Sequence, residues 1–383
     1  MKNAVKRIEE IKRLQQRYAG RGKKGKGRML DEFCDHHGYE RKHAVKLLND
    51  WSFRGVQREK RSGPEKKYTP VQSVVEKIWF AAEQLCGKRL IAALPHWLPH
   101  YERHYGRLLP VQKKLLTEVS AATLDRMLAQ LKAQAPRGLC GTKPGSLIRN
   151  QIPIAGEQWS ENRVGFLEAD TVAHCGASLK GNFIWSLIFT DLASAWTEGR
   201  AIWNKGSHGV LDATQEVELI LPFPILGFDC DNGSEFMNWT LVRYFQDRAQ
   251  PVRFTRSRPY HKDDNAHVEQ KNWMWPRQLL GYNRLENPSL LPAINALYRE
   301  VWSPLQNFFL PSMKLKSKHR DKSRWIRKHH EAITAYERLQ GAYLLPIKQS
   351  KRLRDWYESL DPFELTQQLD KRLKPILNKA IPL

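Results

Sequence analysis

Val164-Gly165-Phe166-Leu167-Glu168-Ala169-Asp170 is an apolar run that ends in a carboxylate. With its flanks it reads as a strand over residues 163–172. A second run, Ile225-Leu226-Gly227-Phe228-Asp229-Cys230-Asp231, closes the same way and is followed at once by Asn232-Gly233, a turn signal. Between them lie strand patterns over 182–190 and 195–203 and a helix pattern over 209–221. After them come a helix over 239–249, a strand over 252–255 and a helix over 264–280, which Pro276 is expected to kink or interrupt.

Three consecutive strands, then helix, strand, helix, strand, helix is the order of a ribonuclease H-like mixed sheet. It places one Asp at the end of the first strand and one at the end of the fourth, expected side by side. The last helix carries Asp264-Asn265-Ala266-His267-Val268-Glu269-Gln270-Lys271-Asn272. Asn265, Glu269 and Asn272 share one face by helical spacing, while Asp263 and Asp264 near the helix start suit capping. Phosphodiester hydrolysis and transesterification need a nucleophile and a leaving oxygen, each stabilised by a divalent cation, with the ions about 4 Å apart. Mg²⁺ takes oxygen ligands and keeps several waters, so a few carboxylates hold a pair. Asp170, Asp231 and Glu269 are therefore the candidate ligands and catalytic residues. Alternatives stand beside them. An Asp at a strand end is often only a turn former. Asp229 faces the same way as Asp231 and competes for the second position, Glu168 competes likewise with Asp170, and Glu235 is a weaker rival. Cys175 and Cys230 read as packing residues.

The chain has 383 residues, with 63 Lys and Arg against 40 Asp and Glu, a net charge of +23. Such an excess points to a polyanionic partner, because each cation that neutralises a phosphate releases a condensed counterion. Hydrophobic residues make up 41% of the chain, which argues against a mostly disordered coating protein. The five cysteines, Cys34, Cys86, Cys140, Cys175 and Cys230, form no CxxC pair, which points away from a zinc site or a disulfide framework and fits a reducing compartment. No apolar run approaches membrane-spanning length and no signal-peptide core opens the chain, so no membrane partner is expected and a cytoplasmic location fits.

Four regions separate by composition: 1–60, 61–150, 157–285 and 286–383. In the first, a charged helix over 5–18 precedes a basic, Gly-rich hinge over 20–27. Leu30, Phe33, Ala44, Leu47 and Leu48 then fall at helical spacing around a turn at Gly38. That is the helix-turn-helix pattern, whose second helix would carry Arg41, Lys42, His43 and Lys46 outward. An ordinary helical hairpin with a solvated basic face reads the same way. The second region, also helical, has a Pro-broken stretch at 95–99 and a second recognition-like helix near 119–128. There Ser120 is the expected N-cap and Thr123 and Arg126 face out; a purely packing helix stays open. The fourth region reads as helical and basic. Its stretch from Lys314 to Lys328 interleaves cations with Trp325, a pattern that can track a phosphate backbone or be a solvated linker.

Asp229-Cys230-Asp231-Asn232-Gly233-Ser234-Glu235-Phe236 resembles the DNGxEF segment around the second acid of retroviral-type integrases and DDE transposases. The stretch from Thr255 to Asn272 resembles their segment ending in the third acid, and Thr190-Asp191-Leu192-Ala193-Ser194-Ala195-Trp196-Thr197-Glu198 the segment between the first strands. The likeness covers the third region and is strongest to bacterial insertion-sequence transposases. It implies a polynucleotidyl transferase with Asp170, Asp231 and Glu269 as the DDE triad, holding two Mg²⁺ or Mn²⁺ ions for DNA cleavage and strand transfer. The triad members are 61 and 38 residues apart, the second interval slightly long for the family. Lysines that follow the Glu in such integrases are replaced here by Trp273 and Pro276; Lys271 and Arg277 are the substitutes, with Arg256, Arg258 and Lys262 as further DNA contacts. The family's HHCC zinc module is absent, since His36 and His37 lack paired cysteines. The partners implied are double-stranded DNA, as terminal inverted repeats and target, and a second copy of the chain, in a nucleoid-associated bacterial protein. A ribonuclease H-like nuclease without joining activity, or an inactive DNA-binding regulator derived from a transposase, are the competing functions.

Overall fold

The computed structural model describes residues 2–49, 67–134, 163–230, 235–236, 239–256, 273–321, 324–341 and 344–382. Two compact units divide the chain, Met1–Lys66 and Lys67–Leu383. The second, third and fourth sequence regions fall almost wholly within the second unit.

The first unit holds α1 (Lys2–Ala19), α2 (Lys23–His37) and α3 (Arg41–Leu48). Tyr18, Met29, Leu30, Phe33, Ala44 and Leu48 form its core, and the Gln15 amide donates to Leu47 O at 2.7 Å. Gly38 ends α2 in the left-handed region (φ 67°), its N–H bonded to Cys34 O, the geometry glycine supplies at a helix end. The hinge expected over 20–27 is shorter than its glycines suggest, because α2 already begins at Lys23 and incorporates Gly25 and Gly27. Each glycine costs a helix about 1 kcal/mol against alanine; burial of Met29, Leu30 and Phe33 one turn later offsets that.

The second unit opens with α4 (Gln72–Ala81), α5 (Gly87–Tyr105), α6 (Pro110–Glu118), α7 (Ala121–Met127) and α8 (Ala129–Gln134). The expected break at 95–99 is absent, and α5 runs through both Pro95 and Pro99. An interior proline costs a helix about 3 kcal/mol. Against this, Leu90, Ala93, Leu94, Trp97 and Tyr101 bury one continuous stripe, and Trp97 Nε1 donates to Phe309 O at 3.0 Å. Tertiary burial overrides the local preference. Ser120 caps α7 as expected, accepting from Thr123 N. The start of α5 crosses α7 so closely that Gly87 N donates to Asp125 Oδ1 at 2.9 Å.

The sheet follows: β1 (Phe166–Ala173), β2 (Ile184–Asp191), β3 (Thr197–Trp203), α9 (Ser207–Ile220), β4 (Gly227–Cys230), α10 (Trp239–Gln246) and β5 (Arg253–Arg256). Its order is β3-β2-β1-β4-β5. β1–β2 and β2–β3 are antiparallel, joined through 174–183 and 192–196, while β1–β4 and β4–β5 are parallel, the last of these crossing over through α10 as parallel neighbours require. On one face Phe228 meets Phe245 and Phe236 at ring distances of 4.7 and 6.3 Å.

Next come a π-helical turn (Trp273–Arg277) that contains Pro276, α11 (Gln278–Leu280), and α12 (Leu291–Leu297), which continues through two π turns to Phe309. In this run Leu297, Tyr298, Val301, Trp302, Leu305, Phe308 and Phe309 are fully buried. It also closes the free edge of β3 with two asparagine amides. Asn295 accepts from Ala201 N at 2.6 Å and donates to Ala201 O at 3.1 Å; Asn307 treats Thr197 the same way at 2.9 and 2.8 Å. An exposed edge would otherwise pair with another chain. The chain ends with β6 (Leu315–Asp321), β7 (Arg324–His329), α13 (Ala335–Gly341), α14 (Ile347–Ser359) and α15 (Pro362–Leu377). The region from 286 onward is thus not only helical: its most basic stretch is an antiparallel ribbon, β6–β7. Cations recur there at every second position from Lys314 to Arg324, but the positions between are mostly polar, so no apolar alternation marks the strands. One hydrophobic core runs through the second unit, from Val71 to Ile376.

Glu198 lies in this core. Its Oε1 accepts from Trp196 Nε1 at 2.9 Å and Ser303 Oγ at 2.7 Å, whereas Oε2 is buried with no hydrogen-bond partner among the described residues. Burial raises its pKa to about 7, against the pull of Ser303, Arg200 and Trp196. The folded state therefore holds a proton that the unfolded chain releases near 4.5, and this contribution to stability is lost as pH rises from there through about 7. Glu198→Gln removes the loss: its melting temperature relative to the native chain rises between pH 5 and pH 8, and a pH-independent difference refutes the assignment. At Gly87, an added Cβ would lie 2.2 Å from Ala121 O. Gly87→Ala is expected to destabilise the second unit by about 1–3 kcal/mol in thermal denaturation; an unchanged melting temperature refutes the close crossing.

Candidate functional site

β1 begins where Gly165 takes φ 100°, and a Cβ there would lie 2.4 Å from Pro224 O. Its carbonyl accepts from Leu226 N and Gly227 N at 2.8 and 3.0 Å. This turn fixes the register of β4 on β1: Leu167 opposes Phe228, Glu168 opposes Asp229, and Ala169 opposes Cys230. Side chains alternate along a strand, so Glu168, Asp170 and Asp229 share one face. Thr255, the β5 partner of Asp229, belongs to that face too, and its hydroxyl donates to Asp229 Oδ1 at 2.5 Å. Glu168 and Asp229 are only 3% and 2% exposed, a pair of buried carboxylates in direct register. Asp170 is half-buried and accepts from Thr171 N at 2.7 Å.

The two rivals weighed for the acidic positions are therefore neighbours, and Asp170 stands one step along from them. Glu235 lies elsewhere. It accepts from Thr171 Oγ1 and Lys205 Nζ, both at 3.2 Å, and Thr171 points to the opposite sheet face. Asp231 and Glu269 lie outside the described residues, as do Arg258, Lys262 and Lys271. Arg256 is the last residue of β5, paired with Cys230.

The Asp170 face continues over β2 and β3 into the segment that follows residue 272. Asp170 opposes Ile188, which opposes Gly199. A Cβ on Gly199 would meet the Trp275 ring at 3.1 Å and Ile188 Cδ1 at 3.2 Å. Trp275, fully buried, is thus seated on the Asp170 face. Beside it is a network that spacing gave no signal for. His174 Nε2 and the Tyr298 hydroxyl each lie 2.8 Å from Ser186 Oγ. Burial, with Arg277 nearby, drives the His174 pKa down to about 3, so the ring is neutral. Arg277 itself is half-buried over the Tyr282 ring at 4.7 Å, turned toward the core rather than laid out on the surface.

Among the other expected DNA contacts, Lys42 and Lys46 are exposed on α3, while Arg41 is ion-paired with Asp31 of α2. On α7, Arg126 is exposed and donates to Thr123 Oγ1 at 3.1 Å. Two groups among the described residues could hold a metal ion: Glu10, His36 and His37 in the first unit, and His104, Asp361 and Glu364 in the second. In the latter, Asp361 caps α15, accepting from Phe363 N and Glu364 N, and lies 3.0–3.1 Å from His100 and His104. Neither group includes Asp170. No described helix is long and apolar enough to cross a membrane.

The geometry defines a mixed α/β protein with acidic side chains gathered on one face of a five-stranded sheet. No family model matches the chain. It is 37% identical over 336 residues to "Uncharacterized protein y4rM" of Sinorhizobium fredii (strain NBRC 101917 / NGR234), an alignment that covers 85% of this chain and 93% of that protein. The chain belongs to the same family as the Sinorhizobium protein.

Proposed function

We propose that this protein is a DDE-type insertion-sequence transposase, which cleaves DNA strands and transfers them in a metal-dependent reaction. The observation that carries the reading is the acidic face of β1 and β4. Glu168, Asp170 and Asp229 cluster there, and Asp231 is the residue bonded to Cys230, whose strand partner precedes Asp170. The strand order β3-β2-β1-β4-β5, with only β2 running against the others among β1, β2, β4 and β5, supports a ribonuclease H-like core. Glu269 lies six residues before Trp275 in the chain, and Trp275 sits on the Asp170 face. Six residues span at most about 20 Å, so the third acid is within reach.

The donor set is all carboxylate oxygen, which fits Mg²⁺ or Mn²⁺. Asp170, Asp231 and Glu269 would hold two such ions, whose chemistry is to lower the pKa of a bound hydroxyl and to neutralise charge at the phosphate. Water first displaces the 3′ oxygen of the element end from phosphorus. The freed 3′-hydroxyl then attacks a target phosphodiester and gives up its proton as the target's own 3′ oxygen leaves. One bond forms and one breaks at each step, with no protein–DNA bond. Glu168 and Asp229 flank Asp170 on that face and would serve as positioning groups. The helical elements with Lys42 and Lys46, and with Thr123 and Arg126, would read the terminal repeats by base and phosphate contacts. Two ends must be brought together, which calls for an oligomer on DNA.

Asp170→Asn and Asp231→Asn should each keep DNA binding and lose cleavage by about 10³-fold or more, since the metals supply several kcal/mol to the transition state. A gel assay on end-labelled duplex reads this; cleavage retained by either variant ends the assignment. With a pre-nicked end, a joined product distinguishes a transposase from a nuclease.

A further inference from the structure

The β6–β7 ribbon has no role in the chemistry above, and its surroundings are unusual for a sheet. Every described side chain on both strands is exposed. Ile326, Arg327 and Lys328 alternate between the two faces, so neither face is covered at the described positions. A lone two-stranded hairpin is marginal in water. The stretch from Lys314 to Lys328 also holds eight Lys and Arg against one acid, Asp321. So dense a run of like charge on one two-stranded ladder is itself unfavourable. A packing role would remove both features; an anionic partner turns both to use.

The base of the ribbon is firmly tied. Lys314 Nζ donates to Leu192 O and Ala193 O at 2.7 and 3.0 Å. Arg338 donates to Ser312 Oγ and Ser312 O at 2.9 and 2.5 Å, and Ser312 N donates to Ile333 O at 2.9 Å. Leu192 N in turn donates to Phe166 O at 2.9 Å, at the start of β1. Phe166 precedes Asp170 by four residues, roughly 14 Å along the strand. The ribbon, seven residues on its longer strand, spans about 24 Å.

We infer that β6–β7 is an arm that enters a groove of duplex DNA, with Lys316, Arg327 and Lys328 on phosphates. The major groove admits a two-stranded ribbon, and its walls carry the required charge. Resting on the proposed transposase reading, the arm would grip the duplex within about one helical turn of the phosphodiester held at Asp170, since stacked base pairs rise about 3.4 Å each.

The test uses the full chain and the variant Lys316→Ala/Arg327→Ala/Lys328→Ala. Binding to a short labelled duplex of mixed sequence is followed by fluorescence anisotropy between about 50 and 200 mM salt. The variant should bind at least tenfold more weakly at the low-salt end. Its log–log salt slope should be shallower by about 2–3, near 0.9 for each phosphate that is no longer neutralised. Its melting temperature should stay unchanged, because all three side chains are exposed, and the swap Lys316→Arg/Arg327→Lys/Lys328→Arg should restore the slope. A native slope in the alanine variant overturns the inference, as does equal weakening of binding to single-stranded RNA, or a defect confined to self-association in sedimentation. Metal-dependent cleavage by the native chain is scored separately. A shallower slope without cleavage removes the transposase reading and leaves the arm; cleavage with a native slope does the reverse.

Discussion

Glu168 on β1 and Asp229 on β4 are direct partners in a parallel strand pair, and both are buried. Burying a carboxylate costs solvation, and Asp229 recovers part of that cost through the Thr255 hydroxyl. The opposite sheet face supplies what outweighs it. Phe228, Phe236 and Phe245 are fully buried there, and each stabilises by roughly 1.5–3 kcal/mol. The Gly165 turn then leaves β4 one register only. Apolar packing below the sheet thus holds acidic side chains together above it.

The far side of the sheet is closed by a different device. β3 would be a bare edge, but Asn295 and Asn307 each offer a carbonyl and an amide to its backbone. The helical run that carries them is apolar almost all round and so lies inside the unit, between the sheet and α5. The same run brings Ser303 to Glu198 and Tyr298 to Ser186. One buried helix therefore protects the edge, sets two polar networks and leaves the basic residues of this region to the ribbon beyond it.

The local elements of the sheet were legible from the chain, because period-two alternation and terminal turn residues are written in consecutive positions. The same is true of Ser120 as a cap, of the Gly38 turn and of the acidic runs ending near 170 and 231. Errors fell where distant burial overrules local preference. Pro95 and Pro99 suggest a break, yet the stripe through Trp97 keeps α5 whole. Glycines 25 and 27 suggest a hinge, yet the Phe33 side recruits them into α2. Period two is present in β6, but cations carry it rather than apolar residues, so β6 and β7 read as helix or linker.

What the sequence alone determined is the order of elements, the positions of the acids and the excess of positive charge, all properties of neighbouring residues or of composition. Only the tertiary structure decided that Glu168 opposes Asp229, that Trp275 lies on the face of Asp170, and that Asn295 and Asn307 serve as strand partners. These pairings join residues tens to over a hundred positions apart, and their register follows from how buried side chains fill shared space, which no local pattern encodes.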